Sequence, residues 1–454
     1  MKNIIRTLAF SGIMATTLAG AAQNTNSGYF VDNYTYRYQL NPAYGNDKNF
    51  VSFPALGNFN IGSSGTLNLT DVLYVHNGKT VLFSNPNIPA SQVLKNIGDR
   101  NTIGFNLRES ILSAGFKMLG GYSTVSLGVR ADVGIQAPGS LFRLVKEGVE
   151  NKTYDLSNIG ASAMGYAELS LNHSRDIKVI PGLRVGAAVK LLIGGGSLDA
   201  RFNKADLTLG TDEWTVTSDA DVYVNFAKFQ YETKRNDKTG KDYVSGANLD
   251  GNGSYGPSGY GVGFDLGATY TWSDFTFSLA ALDLGFISFS NTQYATTNGP
   301  QTFNTDEHIF NPSDFDNSWD DFKNGFDKLY QLTDKGDIGS HTRSLAATLN
   351  VGVEYSFPLY RKLTFGLLSS TRLAGDYTWT EARISANVRP VKCLSAGVNF
   401  AAGTYGVAFG WLVNFSTTGF NLFLGMDNTR CKLAKQGVPL NSNMNMNLGI
   451  NFPF

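Results

Sequence analysis

The chain has 454 residues and no net charge, and its charged fraction of 16% is well below the quarter typical of soluble domains. The balanced charge argues against nucleic-acid binding and against an electrostatic membrane anchor. The 50 glycines and the 13% aromatic content are typical of long β-strands that end in aromatic residues.

Residues 1–22 have the composition of a secretory signal peptide. Lys2 and Arg6 form a basic start, residues 8–18 form a short apolar stretch, and small residues precede Gln23. We therefore expect export, with cleavage near Ala21 or Ala22. No later window reaches the roughly 18 apolar residues that a membrane helix needs, so we expect no transmembrane helix.

Residues 23–49 are polar and aromatic, and they precede the first clear strand. The segment is too short to form a domain. We predict that it plugs the lumen of the structure that follows, around the motif Asn41-Pro42-Ala43. A disordered periplasmic tail is the alternative.

Apolar and polar residues alternate along most of the remaining chain. The clearest runs cover residues 125–136, 214–226, 260–272, 345–357 and 405–415, and weaker runs cover 51–61, 102–118, 160–173, 183–200, 274–289, 362–373, 382–389, 393–401 and 419–428. Runs of about ten to fourteen residues match a tilted strand that crosses a bilayer, whereas strands of soluble sandwiches are shorter. We predict an all-β fold, a transmembrane antiparallel β-barrel over residues 50–454. We expect about fourteen strands, with twelve and sixteen as alternatives, and a large soluble β-fold is the weaker reading.

Long connections alternate with short ones in the C-terminal half. The long connections span residues 227–258, 290–343, 374–381 and 429–442. The short turns lie at residues 273, 358–361, 390–392 and 417–418. Barrels have long extracellular loops and short periplasmic turns, so the C-terminus is expected to be periplasmic.

Three connections carry helical patterns. We predict short helices over residues 89–97, beginning at Pro89, and over residues 140–147. The longest loop is predicted to hold an amphipathic helix over residues 313–332 that covers the barrel mouth, or else forms a gate or an apolar docking surface for substrate. Its apolar face would consist of Phe315, Trp319, Phe322, Phe326, Leu329 and Tyr330.

The last twelve residues read as the closing strand of the barrel. Along this stretch, asparagines and small residues alternate with apolar residues. Alternate side chains of a strand point to opposite faces, so we expect the apolar face to contact lipid. The expected partners are therefore outer-membrane lipid and, through this strand, the barrel-assembly machinery. The lipid-facing set is Met444, Met446, Leu448, Ile450, Phe452 and Phe454.

Charges of both signs fall on the predicted inward parity of the strands. A strongly ion-selective pore would carry one sign at its constriction. Balanced signs predict instead internal ion pairs, a plugged lumen, or passage of a neutral or amphipathic solute. The cations are Lys117, Arg130, Arg184, Lys190, Arg383 and Arg389, and the anions are Asp132, Glu168, Asp219, Asp221, Asp265 and Glu354.

No pattern predicts catalysis, a metal site or a cofactor. The four histidines lack metal-ligand spacing, and His173-Ser174 would point to opposite faces of a strand. We expect a protein that is not an enzyme, with an outer-membrane hydrolase as a remote alternative. Cys393 and Cys431 are expected near opposite ends of the wall and unpaired.

Several stretches resemble known barrels. Leu40-Asn41-Pro42-Ala43 resembles an element of FadL-type fatty acid transporters and of barrels associated with type IX secretion and gliding. An uncharacterised outer-membrane barrel family of Bacteroidetes is more similar still, and it implies about fourteen strands and an N-terminal plug but no substrate. That similarity is carried by residues 51–62, 283–287, 382–386, 425–428 and 438–441.

The sequence thus predicts an outer-membrane barrel that binds or passes small, hydrophobic molecules. A barrel that transports nothing and serves as a scaffold or partner in surface-protein secretion or gliding is the alternative. No nucleic-acid partner is expected.

Overall fold

The fold is known from a computed structural model. It describes residues 25–148, 150–210, 213–235, 240–249, 256–297, 301–304, 332–429 and 443–454. Several predicted features lie outside these residues: the signal peptide, Cys431, and residues 313–331 of the predicted helix, with Phe315, Trp319, Phe322, Phe326, Leu329 and Tyr330. The last residue of that predicted helix, Leu332, begins strand β17.

Strands dominate the described residues. They are β1 (Phe50–Ser52), β2 (Asn58–Gly65), β3 (Leu73–His76), β4 (Lys79–Leu82), β5 (Arg100–Met118), β6 (Gly121–Pro138), β7 (Thr153–Asp155), β8 (Gly160–Asp176), β9 (Leu183–Leu209), β10 (Glu213–Phe226), β11 (Gln230–Arg235), β12 (Asp242–Asn248), β13 (Gly259–Trp272), β14 (Phe275–Phe289), β15 (Gln293–Thr297), β16 (Gln301–Asn304), β17 (Leu332–Asp337), β18 (His341–Ser344), β19 (Ala347–Ser356), β20 (Leu363–Leu373), β21 (Trp379–Val391), β22 (Leu394–Gly403), β23 (Gly406–Ser416), β24 (Asn421–Met426) and β25 (Asn445–Pro453).

Fourteen strands close into an antiparallel barrel, as the sequence predicted. Two of the fourteen positions are each filled by a pair of consecutive segments, β1 with β2 and β18 with β19. Around the wall the order is β1/β2, β5, β6, β8, β9, β13, β14, β18/β19, β20, β21, β22, β23, β24 and β25. The last strand pairs with the first, Phe50 opposite Pro453 and Phe59 opposite Leu448, so the wall has no open edge.

The alternation of the sequence becomes the two faces of this wall. On β8, Leu169 and Leu171 are exposed on the outside, whereas Glu168, Ser170 and Asn172 are buried. An apolar outer face and a polar inner face are the pattern of a barrel surrounded by lipid. Within the described residues, no helix is long and apolar enough to span a membrane.

One expected wall strand lies elsewhere. The run 214–226 corresponds to β10, which pairs with residues 196–209 of β9, whereas β13 pairs with residues 183–194 of the same strand. β9 is thus long enough to support two strands in succession. Together with β15, β16 and β17, β10 forms a sheet above the wall that we call the extension. Its alternating apolar residues pack into small protein cores, not onto lipid, and Val216 and Ala220 are fully buried in them.

The long and short connections lie at opposite ends of the barrel, as predicted. We call these the long-loop end and the short-turn end. Among the described residues, the long-loop connections hold three short α-helices: α1 (Leu69–Val72), α2 (Ala90–Val93) and α3 (Gly139–Glu147). The predicted helices at 89–97 and 140–147 are present, the first capped by Pro89 and continued by a 3₁₀ turn at Leu94–Asn96. Further 3₁₀ turns span Asn26–Gly28, Thr35–Gln39 and Gly375–Tyr377.

Candidate functional site

The candidate site is the lumen, and residues 25–49, here called the inner segment, lie inside it. Their partners are distributed around the whole wall. Tyr29 donates to Ser278 on β14, Tyr34 donates to Asn447 on β25, and the Tyr36 hydroxyl lies 3.0 Å from that of Ser113 on β5. The segment's aromatic residues are buried in one cluster with Leu368, Leu412 and Phe423 of the wall. A chain that contacts opposite walls at once occupies the space between them.

The motif Asn41-Pro42-Ala43 forms a tight turn against the wall. The Asn41 side chain accepts a hydrogen bond from the Ala43 amide at 2.9 Å and donates to the carbonyls of Ala268 and Leu279. The Ala43 carbonyl accepts from Arg184 Nε at 2.7 Å, and Asn172 donates to Pro42. The motif thus bonds to strands β8, β9, β13 and β14.

Asparagines line the side of the lumen formed by β2 and β19–β25. Asn447 donates to Asn58, Asn451 donates to Asn421, and Asn350 donates to the Leu40 carbonyl. The five amides in these bonds pair with one another or with the inner segment and carry no charge themselves. The buried asparagines are Asn58, Asn60, Asn350, Asn387, Asn399, Asn414, Asn421, Asn445, Asn447 and Asn451.

Buried ion pairs cross the other side of the lumen. Arg130 on β6 binds both carboxylate oxygens of Asp283 on β14, at 2.8 and 2.9 Å, and also binds Glu168. Lys190 lies between Asp265 and Asp283. Arg372 on β20 binds Asp132 on β6 at 2.6 Å, which joins nearly opposite walls. We call these residues the ion-pair layer; such buried charges require partners because desolvation is costly.

A cavity of about 780 Å³ lies above the ion-pair layer, at the long-loop end, and we call it the vestibule. Part of its lining consists of stacked rings. The ring centroid of Tyr223 lies 4.3 Å from that of His341 and 4.7 Å from that of Tyr294. Tyr377 and Trp379 also line the vestibule. The remaining lining alternates ionic and apolar groups, including Asp132, Asp199, Arg343, Arg372, Val133, Ile159, Met164 and Leu345.

The ion-pair layer separates the vestibule from the inner segment. Asp132, Arg372 and Trp379 line both the vestibule and a smaller cavity of about 40 Å³. The floor of that smaller cavity includes Asn26 and Leu40 of the inner segment. A solute that enters from the long-loop end therefore meets two successive obstacles.

The predicted inward charges have different positions. The ion-pair layer contains five of them: Arg130, Asp132, Glu168, Lys190 and Asp265. Arg184 bonds to the inner segment. Arg383 binds Glu381 and Asp427, Glu354 interacts electrostatically with Arg37, and Arg389 lines the short-turn mouth. Asp221 accepts from Tyr294 in the extension, where Asp219 is exposed beside a β-bulge, so these two belong to the extension and not to the fourteen-strand wall.

Along the closing strand, buried and more exposed side chains alternate. Asn445, Asn447 and Asn451 are buried inward, Met446, Leu448, Ile450 and Phe452 are half-buried, and Phe454 is exposed. Met444 precedes β25 and is buried.

Four important charges were missed from the sequence: Arg108, Asp283, Arg372 and Asp427. Arg372 lies two residues after Ser370 on the same face of β20, so the alternation of the sequence was sufficient to predict that it faces inward. Asp283 could not be found in this way, because a bulge opposite Phe264–Leu266 shifts its register and gives it a φ of 58°. Asp427 lies past the end of β24, where it accepts from the amides of Asn26 and Ser27.

The described residues show no cluster of side chains suited to a metal ion. Cys393 carries a free thiol. Ser123 Oγ lies 2.8 Å from His173 Nδ1 on the outer face. Ser123 is buried, and among the described residues no further side chain is seen to bond to this pair, so we assign it no nucleophilic role.

Comparison with solved structures shows weak similarity to hydrocarbon transport barrels. A TodX deltaS2S3 mutant monoaromatic hydrocarbon channel is 12% identical, with a TM-score of 0.45 over 96% of this chain and 97% of that one. The Pseudomonas putida toluene transporter TodX is 10% identical, with a TM-score of 0.43 over 96% and 97% of the two chains. A Pseudomonas aeruginosa FadL homologue is 9% identical, with a TM-score of 0.38 over 96% and 98%. Such similarity is too low to carry a function across.

Comparison with curated proteins found no match. The model of a family of unknown function, DUF5723, matches residues 42–427. The match begins at Pro42 in the turn of the inner segment and ends at Asp427, which holds the start of that segment. The bacterial group inferred from the resemblance stays a prediction. The chain belongs to the DUF5723 family, a family of unknown function.

Proposed function

We propose that the protein is an outer-membrane barrel that binds a small, largely hydrophobic molecule in the vestibule and passes it after the inner segment moves. The observation that carries this proposal is the vestibule itself, a cavity of about 780 Å³ that is closed below and whose lining combines aromatic rings and apolar side chains with ionic groups. Such a lining suits a ligand with an apolar body and a few polar groups. The apolar outer face of the wall supports the location in the outer membrane.

Binding is tested with an apolar fluorescent probe, 1-N-phenylnaphthylamine, titrated into the purified full-length protein in detergent. Trp379→Ala and Tyr223→Ala each remove a ring from the vestibule, so each should weaken binding about fivefold, the equivalent of ~1 kcal/mol for an aromatic contact. Trp272→Ala, which removes an exposed ring from the outer wall, is the matched control and should leave the affinity unchanged. Equal affinity in all four proteins would contradict a vestibule site.

Passage is tested by single-channel conductance in a planar bilayer. The intact protein should show no steady open state, because the inner segment and the ion-pair layer both cross the lumen. A Thr35→Cys/Asn451→Cys pair, in a background with Cys393→Ser and Cys431→Ser, should tether the segment to the closing strand. Openings that appear in the reduced protein and vanish on oxidation would support movement of the segment, whereas a steady conductance in both states would exclude it.

A second function, that of a scaffold for a periplasmic partner, is favoured by one observation. Apolar residues occupy the tips of the short turns, where Val179 is 90% exposed, Leu359 88% and Leu119 75%. Exposed apolar tips beside a filled lumen suit a docking surface better than a pore. A photo-crosslinking residue at Val179 should capture one partner in cells, and a crosslinker at Val75 on the long-loop side should not, if this function holds.

A further inference from the structure

A cleft of about 160 Å³ lies at the short-turn mouth, between the inner segment and the wall. It is distinct from the vestibule and lies at the opposite end of the lumen. The inner segment contributes Asn33, Thr35, Asn46, Asp47 and Lys48. The wall contributes Phe50, Arg389, Lys392, Ser416 and Pro453.

Three cations converge on this cleft from different elements. Arg389 is on β21, Lys392 is in the turn that follows, and Lys48 is in the inner segment. Among the described residues, none of the three has a carboxylate within ion-pair distance, whereas the cations of the ion-pair layer all do. Asp47 also lines the cleft, so the lining carries a net charge of +2.

Neutral groups fix the position of the guanidinium. With its amide oxygen toward Arg389, Asn33 accepts from Nε at 3.1 Å and from Nη2 at 2.8 Å. The remaining nitrogen, Nη1, is left for another acceptor. Asn46 donates a hydrogen bond to the Thr35 carbonyl. This bond joins the two parts of the inner segment that line the cleft. A fixed guanidinium, two lysines and the Ser416 hydroxyl are the groups that bind a tetrahedral oxyanion, whereas the Thr35 hydroxyl already donates to Asn451 Oδ1 at 3.3 Å.

We propose that the cleft binds a phosphate group, either free phosphate or the phosphate of an anionic phospholipid, and that the bound anion ties the inner segment to the wall. Lys48 moves with the segment, whereas Arg389 and Lys392 belong to the barrel. An anion bound by Lys48 and by the two barrel cations stabilises the closed lumen from the short-turn end. This proposal does not depend on which ligand enters the vestibule.

The test is calorimetric titration of inorganic phosphate into the full-length protein in a zwitterionic detergent. An Arg389→Gln/Lys392→Gln variant should bind phosphate at least about tenfold more weakly, the loss of ~1.4 kcal/mol. Lys117→Gln/Lys178→Gln, which removes two exposed lysines from the same end but outside the cleft, is the control and should bind within about twofold of the unmodified protein. Heat-modifiable mobility on a gel confirms that each variant is folded.

Hydrogen exchange supplies a second readout. Phosphate should slow exchange at residues 33–35 and 46–48 in the unmodified protein and not in the Arg389→Gln/Lys392→Gln variant. Equal affinities in the two variants, or no change in exchange on binding, would overturn the proposal.

Two further titrations identify the source of the phosphate. Vesicles of phosphatidylglycerol are compared with vesicles of phosphatidylcholine. Binding to phosphatidylglycerol that requires Arg389 and Lys392 identifies a lipid headgroup, and binding of inorganic phosphate alone identifies a free anion. If neither probe binds, the proposal is wrong, and the proposed function in the vestibule is unaffected.

Discussion

Two wall glycines lie directly against the turn at Asn41-Pro42-Ala43. A Cβ at Gly267 would lie 2.1 Å from Asn41 Oδ1, and one at Gly186 would lie 2.1 Å from the Pro42 carbonyl oxygen. Both distances are far shorter than van der Waals contact, so these positions require glycine because the inner segment is packed against them.

Gly267→Ala should therefore push the turn away from the wall and loosen the inner segment without unfolding the barrel. Hydrogen exchange at residues 38–45 should accelerate at least about tenfold, as expected for a loss of ~1.4 kcal/mol of local stability. Gly263→Ala on the same strand is the control, because its Cβ would meet Leu345 at an ordinary 3.4 Å. Equal exchange in both variants would show that the turn does not depend on this contact.

Glu109 is a carboxyl on the outer face of the wall. It stands in register between Phe59 and Val129, and both of its oxygens are buried without a hydrogen-bond partner. Replacing it by leucine removes this unsatisfied group, so Glu109→Leu should raise the free energy of unfolding by about 1–3 kcal/mol.

Urea titration of the protein in lipid vesicles measures the change. Glu232→Leu, at an exposed position of β11, is the matched control and should change stability by less than about 0.5 kcal/mol. A lower free energy of unfolding in Glu109→Leu would contradict the prediction. It would show that the carboxyl has a stabilising partner in the membrane.

At the scale of single residues, the alternation identified which charges face inward, and it could not identify their partners. Arg130 and Asp283 are 153 positions apart, and their bond follows from the curvature of the wall, which no local pattern records. Asp283 was missed because the bulge on β14 adds one residue and so reverses the alternation on which the prediction rests.

Among the elements, the inner segment depends on burying tyrosines in their neutral form. Burial raises the pKa of Tyr38 to about 12, and burial likewise raises the pKa of Tyr34 and Tyr36. In a released segment these groups would ionise near pH 10. Their contribution to stability is therefore complete below pH 10 and is lost as the pH rises toward the pKa of the buried form.

We expect the inner segment to loosen between about pH 10 and pH 12 while the barrel remains folded. Absorbance at 295 nm reports tyrosine ionisation, and limited proteolysis reports release of the segment. In Tyr38→Phe the release should shift to higher pH, because one ionisable group has been removed. Cleavage that begins below pH 9 would contradict the explanation.

The alternating runs correspond to the wall strands with one exception, whereas the short strands β3, β4, β11, β12 and β15–β18 lie in stretches for which no strand was predicted. The run 214–226 has the length and the alternation of a membrane strand, yet β10 lies in the extension. Alternation shows that one face is buried and cannot show whether lipid or protein covers it. The length of β9, which supports both β10 and β13, follows from its pairing and from no local signal.

For the molecule as a whole, the ion pair between Arg372 and Asp132 links nearly opposite walls. Removing either partner leaves a charge in the lumen without its counterion. A double-mutant cycle with Arg372→Gln and Asp132→Asn should therefore give a coupling free energy of about 0.5–3 kcal/mol. Urea unfolding measures it, and the pair Arg372→Gln with Asp242→Asn, which are not in contact, should show additivity.

Fold class, strand number and the positions of loops and turns could be predicted because each depends on a local pattern repeated many times. The vestibule could not, because its lining comes from many separate connections that only the closed barrel brings together. Leu345 and Ile159, for example, are nearly 190 positions apart and share this lining.

The asparagine side of the lumen has a consequence for the reversibility of closure. An amide can exchange a protein partner for water at little cost, since it donates and accepts equally well and carries no charge. If the inner segment left, Asn350, Asn447 and Asn451 would exchange its groups for water, whereas Leu368, Leu412 and Phe423 would lose their apolar contacts with it. In the proposed passage, the amide side of the wall would therefore oppose release of the segment less than the apolar cluster does.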